Sequence, residues 1–296
     1  MVGRLIAIAN QKGGVGKTTT AVNLAIGLAA HERRVLLVDL DPQGNATSGL
    51  VPGARFAQLK NSQRTIYQSI AGRYVVEAVL IQVREAVYLT PAGPDLAAAE
   101  VELTTIGARE ERVAGILASA RQNFDYILID TPPSLGLLTL NALVAADSVI
   151  VPLQCEYFAL EGLGALLDML RRVRREFNPA LEIYGFALTM FETRGRLSYE
   201  VAREVHHHFP NKVFQSVIPR NVAIPESSSH GLSVIEYDGG SAGAEAYREF
   251  AAEIVSHSPP PIGCASGPAA LLDRKSWSLG VLFDREKSKG RRNVTQ

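Results

Sequence analysis

Residues 12–19 read Lys-Gly-Gly-Val-Gly-Lys-Thr-Thr, and this segment restricts the possible folds more than any other part of the chain. An apolar run over residues 4–9 precedes it and predicts a buried strand, and residues 18–30 after it predict a helix. Between a strand and a helix, such glycines let backbone N–H groups converge on phosphate oxygens, and the positive end of the helix dipole strengthens the attraction. The segment therefore predicts a phosphate-binding P-loop.

The side chains of this loop suit a nucleotide bound together with magnesium. Lys17 can reach the β- and γ-phosphates, and the Thr18 hydroxyl can bind Mg²⁺. The predicted nucleotide contacts are Lys12, Gly13, Gly14, Val15, Gly16, Lys17, Thr18 and Thr19.

The remaining apolar runs predict an α/β fold of the P-loop NTPase class. They lack the alternation of half-buried strands, which indicates a mostly parallel, twisted sheet covered by helices on both faces. The predicted strands cover residues 35–38, 126–129, 148–153, 183–190 and 213–217, with a helix over 160–177. Residues 42–63 are rich in Gly, Pro, Ser and Asn, and this composition predicts a loop.

The chain divides into one predicted domain and a tail. The globular pattern continues to residue 256, so residues 1–256 are predicted to form a single domain. The following stretch, 258–268, is rich in Pro, Ser and Gly and indicates a linker. We therefore expect residues 257–296 to be a linker and a poorly ordered basic tail.

Acidic residues follow two of the predicted strands. Asp39 and Asp41 follow the second strand and Asp130 the third. A single aspartate in such a place is as often a helix cap or turn residue. Ligands of open parallel sheets, however, lie at the carboxyl ends of the strands, so all three should face the P-loop. The sequence thus predicts a metal site at Thr18, Asp39 and Asp130, with Asp130 holding Mg²⁺ directly or through a water.

Composition excludes several classes of protein. The formal net charge is zero, so contact with nucleic acid requires a local basic patch. Two cysteines far apart predict a reduced, cytoplasmic setting, with Cys155 as a core residue. No apolar stretch approaches the roughly 18–20 residues of a membrane span. His206, His207 and His208 are expected on a solvated helix face, because consecutive helical positions point about 100° apart.

A resemblance to a known family narrows the prediction. Lys12, five residues before Lys17, is the mark of the "deviant" Walker A loop of ParA/MinD ATPases. The chain also resembles the chromosomal ParA (Soj) branch at Asp-Leu-Asp-Pro-Gln-Gly-Asn (39–45), Asp-Thr-Pro-Pro-Ser-Leu-Gly (130–136), Gln-Cys-Glu-Tyr (154–157), Ala-Leu-Glu-Gly (159–162) and Ile-Pro-Arg-Asn (218–221). The resemblance covers about residues 5–256.

This resemblance implies an ATPase that segregates chromosomal or plasmid DNA. Two ATP-bound subunits would form a sandwich homodimer in which Lys12 contacts the phosphates of the partner, while Lys17 and Asp41 complete the catalytic set. Asp41 would orient the attacking water. The dimer would bind DNA without sequence preference at the nucleoid, and a ParB-type partner would stimulate hydrolysis. Pro219 and Asn221 are implied to hold the adenine.

Basic residues late in the domain are the predicted DNA contacts, although each one could equally lie on a solvated helix face. The predicted contacts are Arg171, Arg172, Arg174, Arg175, Arg194, Arg196, Arg203 and Lys212. Ala223 departs from the family, which usually has an arginine there.

Two other classes of function remain open. One is a membrane-associated positioning ATPase like MinD, because the tail combines basic and apolar residues; we expect no membrane partner, since Gly280 interrupts any apolar stripe. The other is a P-loop enzyme such as an amidoligase or a metal-cluster carrier. Isolated cysteines argue against the cluster carrier.

Overall fold

A computed structural model describes residues 2–51, 53, 55, 58–59, 64–104, 107–156 and 161–256. The predictions for residues 257–296, and the matching residues Tyr157, Ala159 and Leu160, lie outside this part of the chain.

A seven-stranded sheet forms the centre of the described chain. Its order is β3-β4-β2-β5-β1-β6-β7, and every pairing is parallel except that of β3 with β4. The strands are β1 (Arg4–Ile8), β2 (Val35–Asp39), β3 (Ile81–Gln82), β4 (Val87–Thr90), β5 (Tyr126–Asp130), β6 (Ser148–Gln154) and β7 (Glu182–Thr189). The predicted α/β fold is confirmed.

Helices connect and cover these strands. They are α1 (Lys17–Ala30), α2 (Asn45–Leu50), α3 (Ile66–Ile70), α4 (Val76–Val79), α5 (Leu96–Leu103), α6 (Arg112–Leu117), α7 (Leu137–Ala145), α8 (Glu161–Glu176), α9 (Arg196–His208), α10 (Ala223–Ser229), α11 (Val234–Tyr237) and α12 (Ala242–Ser256). Short 3₁₀ turns lie at Arg109–Glu111 and Ala120–Gln122.

The central strands are buried along their whole length, which explains their unbroken apolar sequences. All residues of β2 and β5 are buried. Helix α1 packs closely on α12, because a Cβ on Gly27 would lie 2.7 Å from the Cβ of Ala251. This packing fixes α1, and with it the loop from which α1 starts.

Two predictions about local structure are wrong. Residues 42–63 are not all loop, since α2 begins at Asn45, held by backbone and side-chain bonds to Asp39 rather than by helix propensity. Residues 213–217 do not form a continuous strand, although they follow β7 through single bridges such as Phe186 to Val213. The backbone N–H groups of Gln215 and Ser216 donate to the Glu253 carboxylate instead of to a strand.

Candidate active site

The P-loop leaves the carboxyl end of β1 and is held by side chains from the neighbouring segments. The Asn10 amide donates to the carbonyl of Pro152 at 2.7 Å and accepts from the Lys12 N–H at 3.0 Å. From the end of β7, the Thr189 hydroxyl donates to the Val15 carbonyl at 2.9 Å. The loop is thus tied to β6 and β7 before any ligand binds.

Two glycines of the loop adopt backbone conformations that other residues avoid. Gly14 has φ 74° and Gly16 has φ 88°, both in the left-handed region. A Cβ on Gly14 would meet nothing within 4 Å. Open space above a turned backbone is what a bound phosphate requires, and it agrees with the sequence prediction.

Lys17 is buried at the start of α1, and its ammonium lies across the loop. Its Nζ donates to the Lys12 carbonyl at 3.1 Å. Burial lowers the pKa of Lys17, while attraction to Asp130 and Asp41 partly opposes this change. A desolvated cation beside two carboxylates is suited to neutralise phosphate charge.

Two acidic side chains meet where β2 and β5 end. Asp39 and Asp130 are partners in the register of these strands, and both are fully buried. Asp39 accepts three hydrogen bonds, from Thr47 N, Thr47 Oγ1 and Asp41 N. Burial nevertheless raises the pKa of Asp39 to about 6, with these bonds opposing the rise.

Asp130 has much less support. Neither of its carboxylate oxygens has a hydrogen-bond partner of normal geometry among the described residues. Burial and the charge of Asp39 raise its pKa well above the ordinary value, and the nearby Thr18 hydroxyl and Lys17 only partly offset this. A buried, unpaired carboxylate is unstable unless it is protonated or a cation joins it.

These donors fit Mg²⁺. Thr18, Asp39 and Asp130 offer hard oxygen ligands beside the loop, and Asp130 has two unused oxygens. Within the described ranges, no group of three or more His, Cys, Asp or Glu side chains forms a closed metal cage. A usual magnesium site combines one or two carboxylates with waters and substrate phosphates, and Asp39 and Asp130 could supply the carboxylates of such a site.

Asp41 lies in the loop between β2 and α2, next to these groups. It is buried; its Oδ1 accepts from the Gln43 N–H at 2.9 Å, and its own N–H donates to Asp39 Oδ1 at 3.1 Å. The Asp39 carboxylate therefore fixes the backbone of Asp41, from which the Asp41 side chain projects.

The side chain of Lys12 forms an ion pair with Glu156, which follows β6. Its Nζ lies 3.7 Å from Glu156 Oε2, and about a third of the side chain is exposed. The next residue, Gly13, is exposed, and a Cβ there would touch only the Cβ of Pro133, at 3.8 Å. Packing within the described chain thus does not require glycine at this position.

The segment predicted to hold adenine, residues 218–221, lies beside the backbone that continues from the end of β7. Pro219 bridges to Phe191, and the Asn221 side chain accepts from the N–H of Ala223. Ala223 is buried in the first turn of α10. These contacts place Pro219 and Asn221 at the carboxyl edge of the sheet, and their contact with adenine stays a prediction.

The predicted DNA contacts lie on α8, on α9 and in the segments that follow β7 and α9. Arg171 pairs with Asp168, Arg172 and Arg175 pair with Glu176, and Arg196 pairs with Glu200. In the described chain no ion pair forms at Arg174, Arg194, Arg203 or Lys212.

Other sequence expectations can be located in the structure. Cys155 is a buried core residue, and burial raises the pKa of its thiol to about 12. His206 and His207 are exposed at the end of α9, as expected, and His208 is half-buried. A helix long and apolar enough to cross a bilayer is absent from the described part of the chain.

The sequence prediction missed three residues that shape the site: Asn10, Thr47 and Thr189. Each positions backbone or a carboxylate through long-range hydrogen bonds. Asn10 and Thr47 lie within two residues of predicted motifs, which is the one signal available from sequence. Thr189, at the end of a later strand, gives no signal.

Comparison with known proteins agrees with this geometry. A family profile described as an AAA domain matches residues 3–183. The chain is 49% identical over 256 residues to the sporulation initiation inhibitor protein Soj of Bacillus subtilis, covering 86% of this chain and 100% of that one. It is 48% identical over 261 residues to the chromosome partitioning protein ParA of Myxococcus xanthus, covering 88% and 90% of the two chains.

A solved structure is also similar. Cobyrinic acid a,c-diamide synthase from Mycobacterium smegmatis, with a bound ATP analogue and magnesium, aligns with a TM-score of 0.75 and 38% identity. The alignment covers 86% of this chain and 96% of that one.

Proposed function

This chain belongs to the ParA/Soj family of chromosome-partitioning ATPases, and from that premise we propose that it is an ATP-controlled switch for DNA segregation. Two subunits with bound ATP and Mg²⁺ form a face-to-face homodimer that binds nucleoid DNA without sequence preference. A ParB-type partner stimulates hydrolysis, and the dimer then separates and releases DNA.

One observation carries this proposal: the P-loop is open on the side where Lys12 and Gly13 lie. The side chain of Lys12 pairs with Glu156, while only its backbone carbonyl accepts from Lys17. A Cβ on Gly13 would meet only the Cβ of Pro133 among the described residues, at 3.8 Å. A lysine supplied by a second subunit would neutralise the charge that develops on the transferring phosphoryl group. Glycine at residue 13 would then serve the approach of a partner backbone.

Residues around the phosphate site have distinct roles in hydrolysis. Thr18, Asp39 and Asp130 would hold Mg²⁺, which neutralises phosphate charge. Lys17 stabilises the same charge from inside the loop, and Asp41 orients the attacking water.

DNA binding rests on arginines that no ion pair already neutralises. Arg174, Arg194 and Arg203 meet this condition among the described residues, and a dimer doubles their number. With Ala223, the chain lacks one positive charge that the family usually carries at this position. Ala223 is also buried, so little of its surface is accessible to DNA. We therefore assign DNA contact to the other arginines.

The similarity to cobyrinic acid a,c-diamide synthase favours one second candidate, an amidoligase that consumes ATP. Identity to the two partitioning relatives, 49% and 48%, is higher than the 38% to the synthase. ATP-dependent amidation of cobyrinic acid with glutamine, followed by mass spectrometry, tests this candidate directly. We expect no product.

Co-sedimentation with plasmid DNA and with anionic liposomes, with and without ATP, tests the main proposal. We expect DNA binding that requires ATP and weakens steeply with salt, because phosphate contacts release counterions. Binding to liposomes but not to DNA would replace the proposal with a membrane-associated positioning ATPase.

A matched pair of charge reversals sharpens this test. Arg194 is exposed and follows β7, at the carboxyl ends of the strands, where the P-loop also lies. Arg33 precedes β2 and therefore lies at the opposite, amino ends of the strands. Arg194→Glu should weaken DNA binding and reduce the magnitude of the salt slope, since each lost phosphate contact lowers it by about one. Arg33→Glu changes the net charge equally and should have a much smaller effect. Equal effects would refute a localised DNA surface.

A further inference from the structure

Thr47 is buried in the first turn of α2 and binds the Asp39 carboxylate with two groups at once. Its Oγ1 lies 2.6 Å from Asp39 Oδ2, and its backbone N lies 2.8 Å from the same oxygen. A hydroxyl bond to an ionised group is among the stronger hydrogen bonds in proteins. The contact spans eight residues of sequence and closes the loop that contains Asp41.

The direction of the Thr47 hydroxyl is fixed by a third contact. The N–H of Ala92, just after β4, donates to Thr47 Oγ1 at 2.9 Å. A hydroxyl has a single hydrogen, and the amide hydrogen of Ala92 already points at the oxygen. The hydroxyl hydrogen is therefore directed at Asp39, and the two segments after β2 and β4 are joined through this one side chain.

Asp39 passes this constraint on to Asp41. Its other oxygen, Oδ1, accepts from the Asp41 N–H at 3.1 Å. With Oδ2 held by Thr47, the carboxylate cannot rotate without breaking a buried bond. The backbone of Asp41 is thus anchored through Asp39 to Thr47.

We propose that Thr47 is a positioning residue for ATP hydrolysis, which holds Asp39 so that Asp39 fixes the place of Asp41. This inference rests on the proposed role of Asp41 in orienting the attacking water. Small displacements of a group that orients a reactant reduce rates strongly, even when the substrate still binds. Among the described residues, the Thr47 hydroxyl bonds to Asp39 and Ala92 and not to the phosphate loop or Lys17, so ATP affinity should not depend on it.

The test is single-turnover ATP hydrolysis, with ATP affinity measured separately by titration with a fluorescent ATP analogue. Thr47→Val keeps the shape and removes the hydroxyl; we expect a rate about 10- to 100-fold lower, the usual effect of losing a supporting hydrogen bond at such a site. ATP affinity should stay within about threefold, because the P-loop is unchanged. Thr47→Ser should restore the rate.

The chain offers a matched control at Thr90. This residue, at the end of β4, is also fully buried, but its hydroxyl has no hydrogen-bond partner among the described residues. Thr90→Val should therefore hydrolyse ATP at the normal rate. If Thr47→Val melts below the assay temperature, Thr47→Ala replaces it, since alanine brings no methyl group against Asp39.

Three outcomes would overturn the inference. They are a normal rate in the variant without the hydroxyl, an equal loss of rate and ATP affinity, and a Thr47→Ser variant as slow as Thr47→Val. Asp41→Ala separates this inference from the mechanism on which it rests. If Asp41→Ala stops hydrolysis and Thr47→Val does not, the Thr47 inference fails alone. If Asp41→Ala hydrolyses ATP normally, the proposed role of Asp41 fails.

Discussion

Asp130→Asn should stabilise the protein in the absence of metal while removing its response to Mg²⁺. In the free protein this carboxylate is fully buried and lies beside Asp39, and neither of its oxygens has a hydrogen-bond partner of normal geometry among the described residues. Asparagine keeps the shape and removes the charge. The substitution thus separates the stability of the fold from the binding of the ion.

The size of the effect follows from the buried carboxylates. Burial raises the pKa of Asp39 from 3.8 to about 6, which corresponds to about 3 kcal/mol of lost stability when that group is ionised. Asp130 is equally buried without the hydrogen bonds of Asp39, so its ionisation is no less unfavourable. A buried amide without partners still costs about 1–3 kcal/mol. The difference between these two values predicts a net gain of up to about 2 kcal/mol.

Thermal unfolding in EDTA, followed by circular dichroism, measures this gain. A gain of up to about 2 kcal/mol raises Tm by up to about 8 °C in a chain of this size. The raised pKa means that the folded wild type holds its proton when the unfolded chain has lost it, so wild-type stability falls as pH rises from about 4 through 6 and beyond. The advantage of the variant should therefore be largest near pH 7–8 and vanish near pH 4.

Saturating ATP and Mg²⁺ should reverse the order of the two proteins. Binding at 100 times Kd adds about 2.7 kcal/mol to the wild type and little to the variant. Asp147→Asn is the control, because Asp147 is paired with Arg121 and with the Leu5 N–H and should lose stability. A lower Tm for Asp130→Asn than for the wild type in EDTA would refute the reasoning.

Three further substitutions test the nucleotide site. Lys17→Ala should abolish ATP binding in a calorimetric titration, because the loop loses its buried cation. Gly13→Val should fold and bind ATP but remain a monomer on gel filtration, since only the Pro133 side chain lies near the added Cβ. Glu156→Gln releases Lys12 from its contact within the chain and should strengthen ATP-dependent dimerisation by about two- to fivefold, in line with an exposed ion pair.

Each of these outcomes has a clear opposite. Tight ATP binding by the Lys17 variant would contradict the P-loop assignment. A normal ATP-dependent dimer of Gly13→Val would remove the approach of a partner at this glycine. Weaker dimerisation of Glu156→Gln would show that Glu156 supports the dimer interface directly rather than holding Lys12 in the free subunit.

The sequence predicts the central strands because their signal is local. Buried parallel strands are unbroken apolar runs, and the loop after β1 has a specific spacing. The α2 helix is not predictable in this way, since only six residues form it and a distant carboxylate holds its first turn. The strand prediction for residues 213–217 is wrong although their composition favours a strand. Two of their N–H groups donate to the Glu253 carboxylate and are not available for pairing with a strand.

The same distinction applies to the candidate site: residues with a local sequence signal are predictable, and residues that act through distant contacts are not. Lys17, Asp39 and Asp130 are predictable because strand ends converge at one edge of a parallel sheet. The residues that position them, such as Thr47 and Thr189, act through contacts between segments far apart in sequence. Single-residue patterns contain no information about such contacts.

The two outermost strands of the sheet, β3 and β7, offer little unpaired backbone to a strand of another molecule. β3 has only two residues, and on the other side residues 212–218 already bond to backbone groups of β7. Edge-to-edge pairing, the ordinary route to fibrous aggregation, is therefore disfavoured between copies of this chain. Contacts between copies would have to form through loops and helix faces instead of through strand pairing.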